Sequence, residues 1–464
     1  MPLKPLRWIP DIQDSDLPTY KAIAESVKAA IDSGLLKPGD KLPTHRALAD
    51  TLNLAIGTIT RGYAEAERLK IIEAQVGSGT FVSSPKHKDT EFKINEEKPG
   101  IIDLSVSVAI PVHTHYISDS FNQIVSQPKL FEQLSKYHPD TGTQKYLEAH
   151  STWLSTTGCQ NIDAERIFTT MGGQHGLFVA LSSICKDGDT IICDQLTYPG
   201  LIAIALKLNI KIIGIESDSE GLNIDHLELA CQRHRPRALY LMTRISTPLG
   251  TTTSMERIKS ISKIALENNI LIVEDDVQGC LMPESTPVFV NYIPDNTIFI
   301  SSVSKSMAGG LRIGTLYIPG KLIRTVRNTI RIQLLMPPPL ISELFSNIAL
   351  NFSLAKILEE QRAKLSSRNE LASKILTDFK LNHSNYSLNL WLTLPSHWQS
   401  TSFTKAAKEE GILLKPAEAF ATSNQLTASA VRISIGGSIS EGQLNYSLSK
   451  IRELLYCEDV FNFS

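Results

Sequence analysis

Lys305 stands apart from other charge in the stretch SSVSKSMAGGLRIG, residues 301–314. An amine in such a setting can condense with an aldehyde to a Schiff base, the usual covalent chemistry of a lysine in a carbonyl-using site. Ser302 and Ser304 flank it and Arg312 follows, so hydroxyl and guanidinium donors for an anion sit in the same stretch. Upstream, the run ILIVED brings Asp275 to the end of an apolar, β-rich segment. An inward carboxylate at the carboxyl end of such a strand faces a ligand cleft. TTMGGQHGL places Gly172 and Gly173 at a helix start, where free backbone N–H groups can cradle a phosphate. Tyr198, in DQLTYPG, follows the run TIICD and offers a ring to stack on a flat ligand.

Taken singly, each feature has an ordinary explanation. Serine–lysine pairs are common in loops, acidic residues cap strand ends, Gly-Gly makes turns, and a tyrosine near a proline usually packs. Together they match what pyridoxal 5′-phosphate (PLP) requires of a protein. A lysine takes its aldehyde, a carboxylate keeps its pyridine nitrogen protonated, several donors hold its phosphate, and an aromatic ring covers one face.

These residues need a scaffold that converges on one edge, and the chain has the pattern for one. Apolar β-branched runs (DTIICD, IKIIGIES, RALYLM, ILIVED, TIFISS) alternate with amphipathic stretches such as SMERIKSISKIALENN. That alternation predicts a large α/β domain with a mostly parallel sheet, over residues 101–464. From about residue 355 helices mix with short strands, which predicts a smaller α+β C-terminal lobe. Residues 84–100, SPKHKDTEFKINEEKPG, are dense in mixed charge and read as a solvated linker.

Residues 1–83 read differently. YKAIAESVKAAIDS puts Ile23, Val27, Ala30 and Ile31 on one helical stripe, and THRALADTL opens a second helix at Thr44, a natural cap. After NLA a third helix runs through IGTITRGYAEAERLK, and IIEAQVGSGTFV follows as two β-rich runs around glycines. That order is a winged helix-turn-helix, whose second helix of the pair meets base edges from its first turn. The candidate DNA-facing set is Thr44, Arg46, Thr58, Thr60, Arg61 and Gly77 at the hairpin tip, with Ile59 and Tyr63 turned to the core. Ten Lys/Arg face ten Asp/Glu over these residues, so any DNA footprint comes from where the charges sit.

Other classes are disfavoured. No apolar run is long enough to span a bilayer, the N-terminus lacks a signal-peptide pattern, and the six cysteines form no CxxC pair. A reducing cytoplasm is the expected compartment. The HTH triplet at 113–115 lacks a third metal ligand nearby, so no metal site is expected, and RHRPR at 233–237 reads as a solvated helix end.

The stretch PGDKLPTHRALADTLNLAIGTITRGYAEAERLKIIEAQVGSGTFV resembles the winged-helix head of the GntR family of bacterial regulators. In that family, arginines at the positions of Arg46 and Arg61 contact DNA, and many relatives carry a basic residue where this chain has Gly57. Residues 100–455 resemble the fold-type I aminotransferase domain, and the fusion of the two resembles the MocR family of regulators. The resemblance implies Lys305 as Schiff-base lysine, Asp275 as partner of the pyridine nitrogen, and Tyr198 as stacking ring. It implies Gly173, Gln174, Ser302, Ser304 and Arg312 as phosphate ligands, and Arg432 in VRISIGGS as the group for a ligand carboxylate. Two positions depart from the family pattern. Thr247 in TPLG stands where an amide often contacts the PLP ring hydroxyl, and Gln278 in EDDVQG replaces a tyrosine that reaches the same oxygen.

The expected function is a transcription regulator that binds an operator through the head and senses PLP, or its adduct with an amino compound, in the large domain. A homodimer is implied by the resemblance. A working aminotransferase with an accessory head is the alternative, and a large domain that serves only to dimerise is a third reading.

Overall fold

The computed structural model describes residues 8–12, 17–32, 35–36, 39–68, 71–75, 79–82, 99–423 and 429–457. Gly77 and nearly all of the expected linker lie outside the described residues. The chain divides into two compact units, residues 1–93 and 94–464.

In the first unit, helices α1 (Thr19–Asp32), α2 (His45–Leu52) and α3 (Ile56–Arg68) precede an antiparallel hairpin of β1 (Ile72–Gln75) and β2 (Gly79–Val82). The Thr44 hydroxyl accepts from Ala47 N at 3.3 Å and closes the start of α2, as its sequence position predicts. Asn53 ends α2 in the left-handed conformation, φ 55°, which an asparagine tolerates and which makes the turn into α3. Ile23, Val27, Leu48, Ile59 and Tyr63 bury themselves in one core, so three helices too short to stand alone are held by shared apolar surface. The Tyr63 hydroxyl donates to Pro43 O at 2.9 Å, tying α3 to the segment before α2. Residues 39–42 lie along β2, with Gly39 N donating to Val82 O and Leu42 N to Thr80 O, so the hairpin gains a third edge.

The second unit opens with β3 (Ile102–Asp103) and helices α4 (Thr114–Val125), α5 (Pro128–Leu134) and α6 (Gln144–Thr156). Then β4 (Ile167–Thr170), α7 (Gly173–Ile184), β5 (Thr190–Asp194), α8 (Pro199–Lys207) and β6 (Lys211–Ile215) alternate. A hairpin, β7 (Ser217–Asp218) and β8 (Gly221–Leu222), leads to α9 (Ile224–His234), β9 (Ala238–Leu241), α10 (Met255–Glu267), β10 (Leu271–Asp275), β11 (Thr297–Ser302) and β12 (Gly314–Tyr317). The seven-stranded sheet runs β4-β12-β11-β10-β9-β5-β6, with β12 antiparallel to both neighbours and the other pairs parallel. Helices α7 and α8 cover one face over Leu177, Leu201 and Ile300, while α9 and α10 cover the other over Leu227, Ile261 and Ile272. Burial on both faces is why these strands read as continuous apolar runs rather than as alternations.

Helices α11 (Ile323–Leu334) and α12 (Pro339–Asn351) connect to a smaller lobe: α13 (Leu354–Ile375), β13 (Leu381–Asn382), β14 (Asn389–Thr393), α14 (Ser400–Glu409), β15 (Ile412–Leu413), β16 (Lys415–Pro416), β17 (Ala430–Ser434) and α15 (Glu441–Tyr456). Its antiparallel sheet runs β13-β14-β17-β16. The lobe also recruits the start of the unit, since β15 pairs in parallel with β3 and Ser434 N donates to Leu104 O at 2.8 Å. A two-residue strand leaves no periodicity to read, so the sequence does not reveal that both ends of the domain build the lobe. Among the described residues no helix is long and apolar enough to cross a membrane, and no cluster of three or more His, Cys, Asp or Glu is placed to hold a metal.

Candidate functional site

The carboxyl ends of β4, β5, β9, β10 and β11 share one edge of the sheet, because these strands run parallel, and the antiparallel β12 begins there. That edge is where open α/β sheets bind ligands. It gathers Gly172–Gln174 after β4, Tyr198 after β5, Thr247 after β9, Asp275 at the end of β10, Lys305 after β11 and Arg312 just before β12.

The acidic run at the end of β10 sends its three carboxylates three ways. Glu274 turns to the interior, where it accepts from the Thr243 hydroxyl at 2.7 Å and from the amides of Phe289 and Val290. Asp275 points to the other face, as strand alternation requires. Its Oδ2 accepts from the Tyr240 hydroxyl at 2.7 Å and its Oδ1 from Val277 N at 3.2 Å. Asp276 is buried in a two-pronged pair with Arg244, whose Nε donates to Oδ1 at 2.7 Å and whose Nη2 donates to Oδ2. Burial pushes the Asp275 carboxyl up to about 6 and the Glu274 carboxyl up to about 7. Without a cationic ligand beside it, Asp275 carries its charge at a cost.

Lys305 is half-buried, and its Nζ donates to the carbonyl of Ser107. Desolvation, reinforced by the Arg432 guanidinium, lowers its pKa to about 8 despite the opposing pull of Asp275. A substantial neutral fraction near pH 7 to 8 is what an amine needs to attack a carbonyl.

Gly172, φ 80°, caps α7 without a side-chain bond, so by helix geometry the first amides of α7, from Gly173 and Gln174, lack intrahelical partners. Arg312 lies against this end. Its Nη2 donates to Met171 O at 3.0 Å, and a Cβ at Gly172 would stand 2.6 Å from that nitrogen. Ser302 Oγ donates to Ile313 O at 2.7 Å and lies 2.8 Å from Ser304 Oγ, so the Ser304 hydroxyl is the one of the pair able to swing to an incoming anion. The Tyr198 hydroxyl donates to Gln174 Oε1 at 2.7 Å, which fixes the ring beside the α7 terminus.

Thr247 and Gln278 bond to each other, Nε2 of Gln278 donating to Thr247 Oγ1 at 2.8 Å, and the amide of Asn389 on β14 donates to Gln278 Oε1 at 3.1 Å. Arg432 on β17 is buried, lies 5.1 Å from the centre of the Phe420 ring and donates through Nη2 to Ser105 O. Burial lowers its pKa to about 10, and it stays cationic at neutral pH. Arg432 Nε, Ser107 Oγ and Thr197 Oγ1 are buried without a hydrogen-bond partner in the protein. Tyr240, Arg244, Asn389, Ser105 and Ser107 carry no motif in the sequence. Tyr240 could have been found by register, since it pairs with Val273 and so shares a face with Asp275 two residues on.

In the head, Thr44, Arg46 and Arg61 are exposed and Thr58 is half-buried. The Arg61 guanidinium sits 4.8 Å from the Tyr20 ring centre. The Thr60 hydroxyl donates to Ile56 O at 3.0 Å and lies 3.2 Å from His45 Nδ1, so it is turned along its own helix toward α2. Gly57 is exposed, and a Cβ there would meet nothing within 4 Å.

Residues 118–451 match the model of the class I and II aminotransferases. The chain belongs to that family. Residues 19–82 match the model of bacterial regulatory proteins of the gntR family, and the fusion of this head to the class I and II aminotransferase domain is the MocR-family architecture. The uncharacterized HTH-type transcriptional regulator YdeF of Bacillus subtilis (strain 168) is 27% identical over 97% of both chains. The probable rhizopine catabolism regulatory protein MocR of Rhizobium meliloti is 23% identical over 68% of this chain and 69% of its own. An archaeal alanine:glyoxylate aminotransferase superposes with a TM-score of 0.71 at 19% identity, covering 85% of this chain and 98% of that one. The large unit has the fold-type I aminotransferase fold.

Proposed function

We propose that this chain is a DNA-binding transcription regulator whose aminotransferase-like domain senses PLP or an adduct of PLP with an amino compound. The observation that carries the reading is the presence, in one chain, of a gntR-family head and a sheet edge that gathers Lys305, Asp275, Ser304 and Arg312 beside the start of α7. The donor set fits the cofactor. Asp275 suits a protonated pyridine nitrogen, the uncapped start of α7 with Ser304 and Arg312 suits a phosphate, and Tyr198 suits a ring face. PLP supplies an aldehyde for an amine and an electron-withdrawing ring behind it. The protein's own residues do the rest. Lys305 presents an amine of lowered basicity, Asp275 holds charge opposite the ring nitrogen, and Arg432 waits for a carboxylate.

The mutual bond of Thr247 and Gln278 favours sensing over turnover. Each already satisfies part of the other's hydrogen-bonding capacity, where family enzymes direct such groups at the ring oxygen. A homodimer would present two heads to two half-sites of an operator, and the pocket acts on DNA only if its ligand prefers one arrangement of the chain over another.

The visible absorption spectrum of the purified protein with PLP tests the reading. Wild type should show the band of lysine-bound PLP, and Lys305→Ala should lack it. A wild type without that band would end the sensing proposal. Steady release of a keto product from added amino acids would favour the enzyme reading instead.

A further inference from the structure

Two cations that the proposed function assigns to the ligand are already engaged, and by one short segment. Lys305 Nζ donates to Ser107 O, and Arg432 Nη2 donates to Ser105 O. The segment is pinned to the small lobe on either side of these contacts. Ile102 N donates to Gly411 O at 2.8 Å, Leu104 N to Leu413 O at 2.9 Å, Ser434 N to Leu104 O at 2.8 Å and Gly437 N to Val108 O at 3.0 Å. It passes so close to the lobe that a Cβ at Gly436 would lie 1.8 Å from Val108 O. Between the pins, residues 105–107 belong to no strand or helix. Asp103 Oδ1 folds the turn by accepting from Ser105 N at 2.8 Å and Ser105 Oγ at 2.6 Å.

We propose that residues 105–107 are a latch, an internal stand-in for the ligand, which the aldehyde of PLP must displace from Lys305 and the carboxylate of an amino compound must displace from Arg432. This rests on the reading of the pocket as a site for PLP and an amino compound. A neutral carbonyl is the weaker acceptor for a guanidinium, so an anionic carboxylate takes Arg432 from Ser105. A lysine bonded to the aldehyde carbon of PLP would no longer offer its ammonium hydrogens to Ser107, and an amino compound that takes that carbon would set the lysine free again. With the adduct bound, the Ser105 carbonyl loses its donor while the pins at residues 102, 104 and 108 hold, and two buried atoms without a partner in the protein, Ser107 Oγ and Arg432 Nε, lie beside it for the ligand.

The test uses the full chain and phosphopyridoxyl-L-alanine, a stable reduced adduct with phosphate, ring, amine and carboxylate but no aldehyde. Hydrogen exchange of the peptide covering residues 101–109 should speed up at least about fivefold on binding, within the usual range for coupled sites, while a peptide spanning β10 and β11 slows or stays unchanged. Ser105→Ala removes the hydroxyl bond to Asp103 without changing charge, and Asp103→Ala removes both turn bonds. Each should bind the adduct more tightly, by about threefold and tenfold respectively, because loosening a competitor removes part of its population tax. Unchanged exchange at 101–109 with the adduct demonstrably bound overturns the latch and leaves the pocket reading standing, as does wild-type affinity in both variants. A wild type that shows no band with PLP and no binding of the adduct overturns the pocket reading, and the latch with it.

Discussion

The pocket and the side of the head that carries Arg46 and Arg61 use polar residues in opposite ways. In the pocket the polar groups are sunk into the protein and hold one another: Asp275 with Tyr240, Asp276 with Arg244, Thr247 with Gln278, and Ser302 with Ser304. In the head Arg46 and Arg61 stand exposed on helices whose inner faces, at Leu48 and Ile59, are fully buried. A substitution in the first region strands a buried partner, whereas one in the second removes only what faces outward. The pocket trades stability for geometry and the head keeps the two separate.

Several substitutions would break or sharpen that contrast, and Arg244→Ala is the most severe. It leaves Asp276 buried without its partner and should cost about 3–5 kcal/mol of stability, read as a fall in the urea midpoint. A loss below 1 kcal/mol would mean that the pocket floor tolerates stranded charge and that the contrast is wrong.

In the head, Arg61→Ala should weaken binding to the protein's own promoter DNA by about 1–3 kcal/mol, if Arg61 reads a base edge. Its cost in stability should stay under about 1 kcal/mol, the worth of its exposed stacking on Tyr20. Unchanged DNA affinity would remove α3 from the recognition surface.

Acidity separates the regions again. Glu274 and Asp275 are raised by burial to about 7 and about 6 in the folded protein, from about 4 when unfolded. Across that window the folded state binds more protons than the unfolded one, so these groups lower stability as pH rises from about 4 to about 7, and the loss levels off above. Urea unfolding of PLP-free protein at pH 5 and pH 8 should show this component, and Glu274→Gln should make the pH dependence flatter. An unaltered dependence in that variant would place the proton uptake elsewhere.

The smallest effect is a gain. Gly57→Lys puts a cation into open space on α3 and should steepen the dependence of DNA affinity on salt by about one counterion. The same change replaces a helix-weakening glycine and should raise the head's stability by a few tenths of a kcal/mol, roughly.

Much of this arrangement was legible in the sequence, for identifiable reasons. The buried strands announced themselves as β-branched runs, and Lys305, Asp275 and Arg312 each stand within a few residues of a strand end, so local pattern sufficed. Thr44 was readable as a cap because capping is a short-range bond. What escaped depends on distance along the chain or on the backbone. Asn389 meets Gln278 across 111 residues, and Arg244 meets Asp276 across 32. The contacts of Ser105 and Ser107 are made by carbonyls that every residue carries, so no residue type marks them. Thr60 shows the converse limit, for its exposure on the first turns of α3 was predictable but the rotation of its hydroxyl toward His45 was not.

Trp8 lies upstream of α1 and of the gntR-family match, yet only 6% of it is exposed, and Ile12 packs against the same core while Asp11 N reaches Ser26 Oγ at 2.9 Å. The head is therefore larger than the family's signature. A fragment cut to residues 19–82 would remove one wall of its own interior, and what it lost in DNA binding would be mistaken for a property of the missing large domain. Dissection of the two units should therefore keep Trp8 and Ile12 with the head.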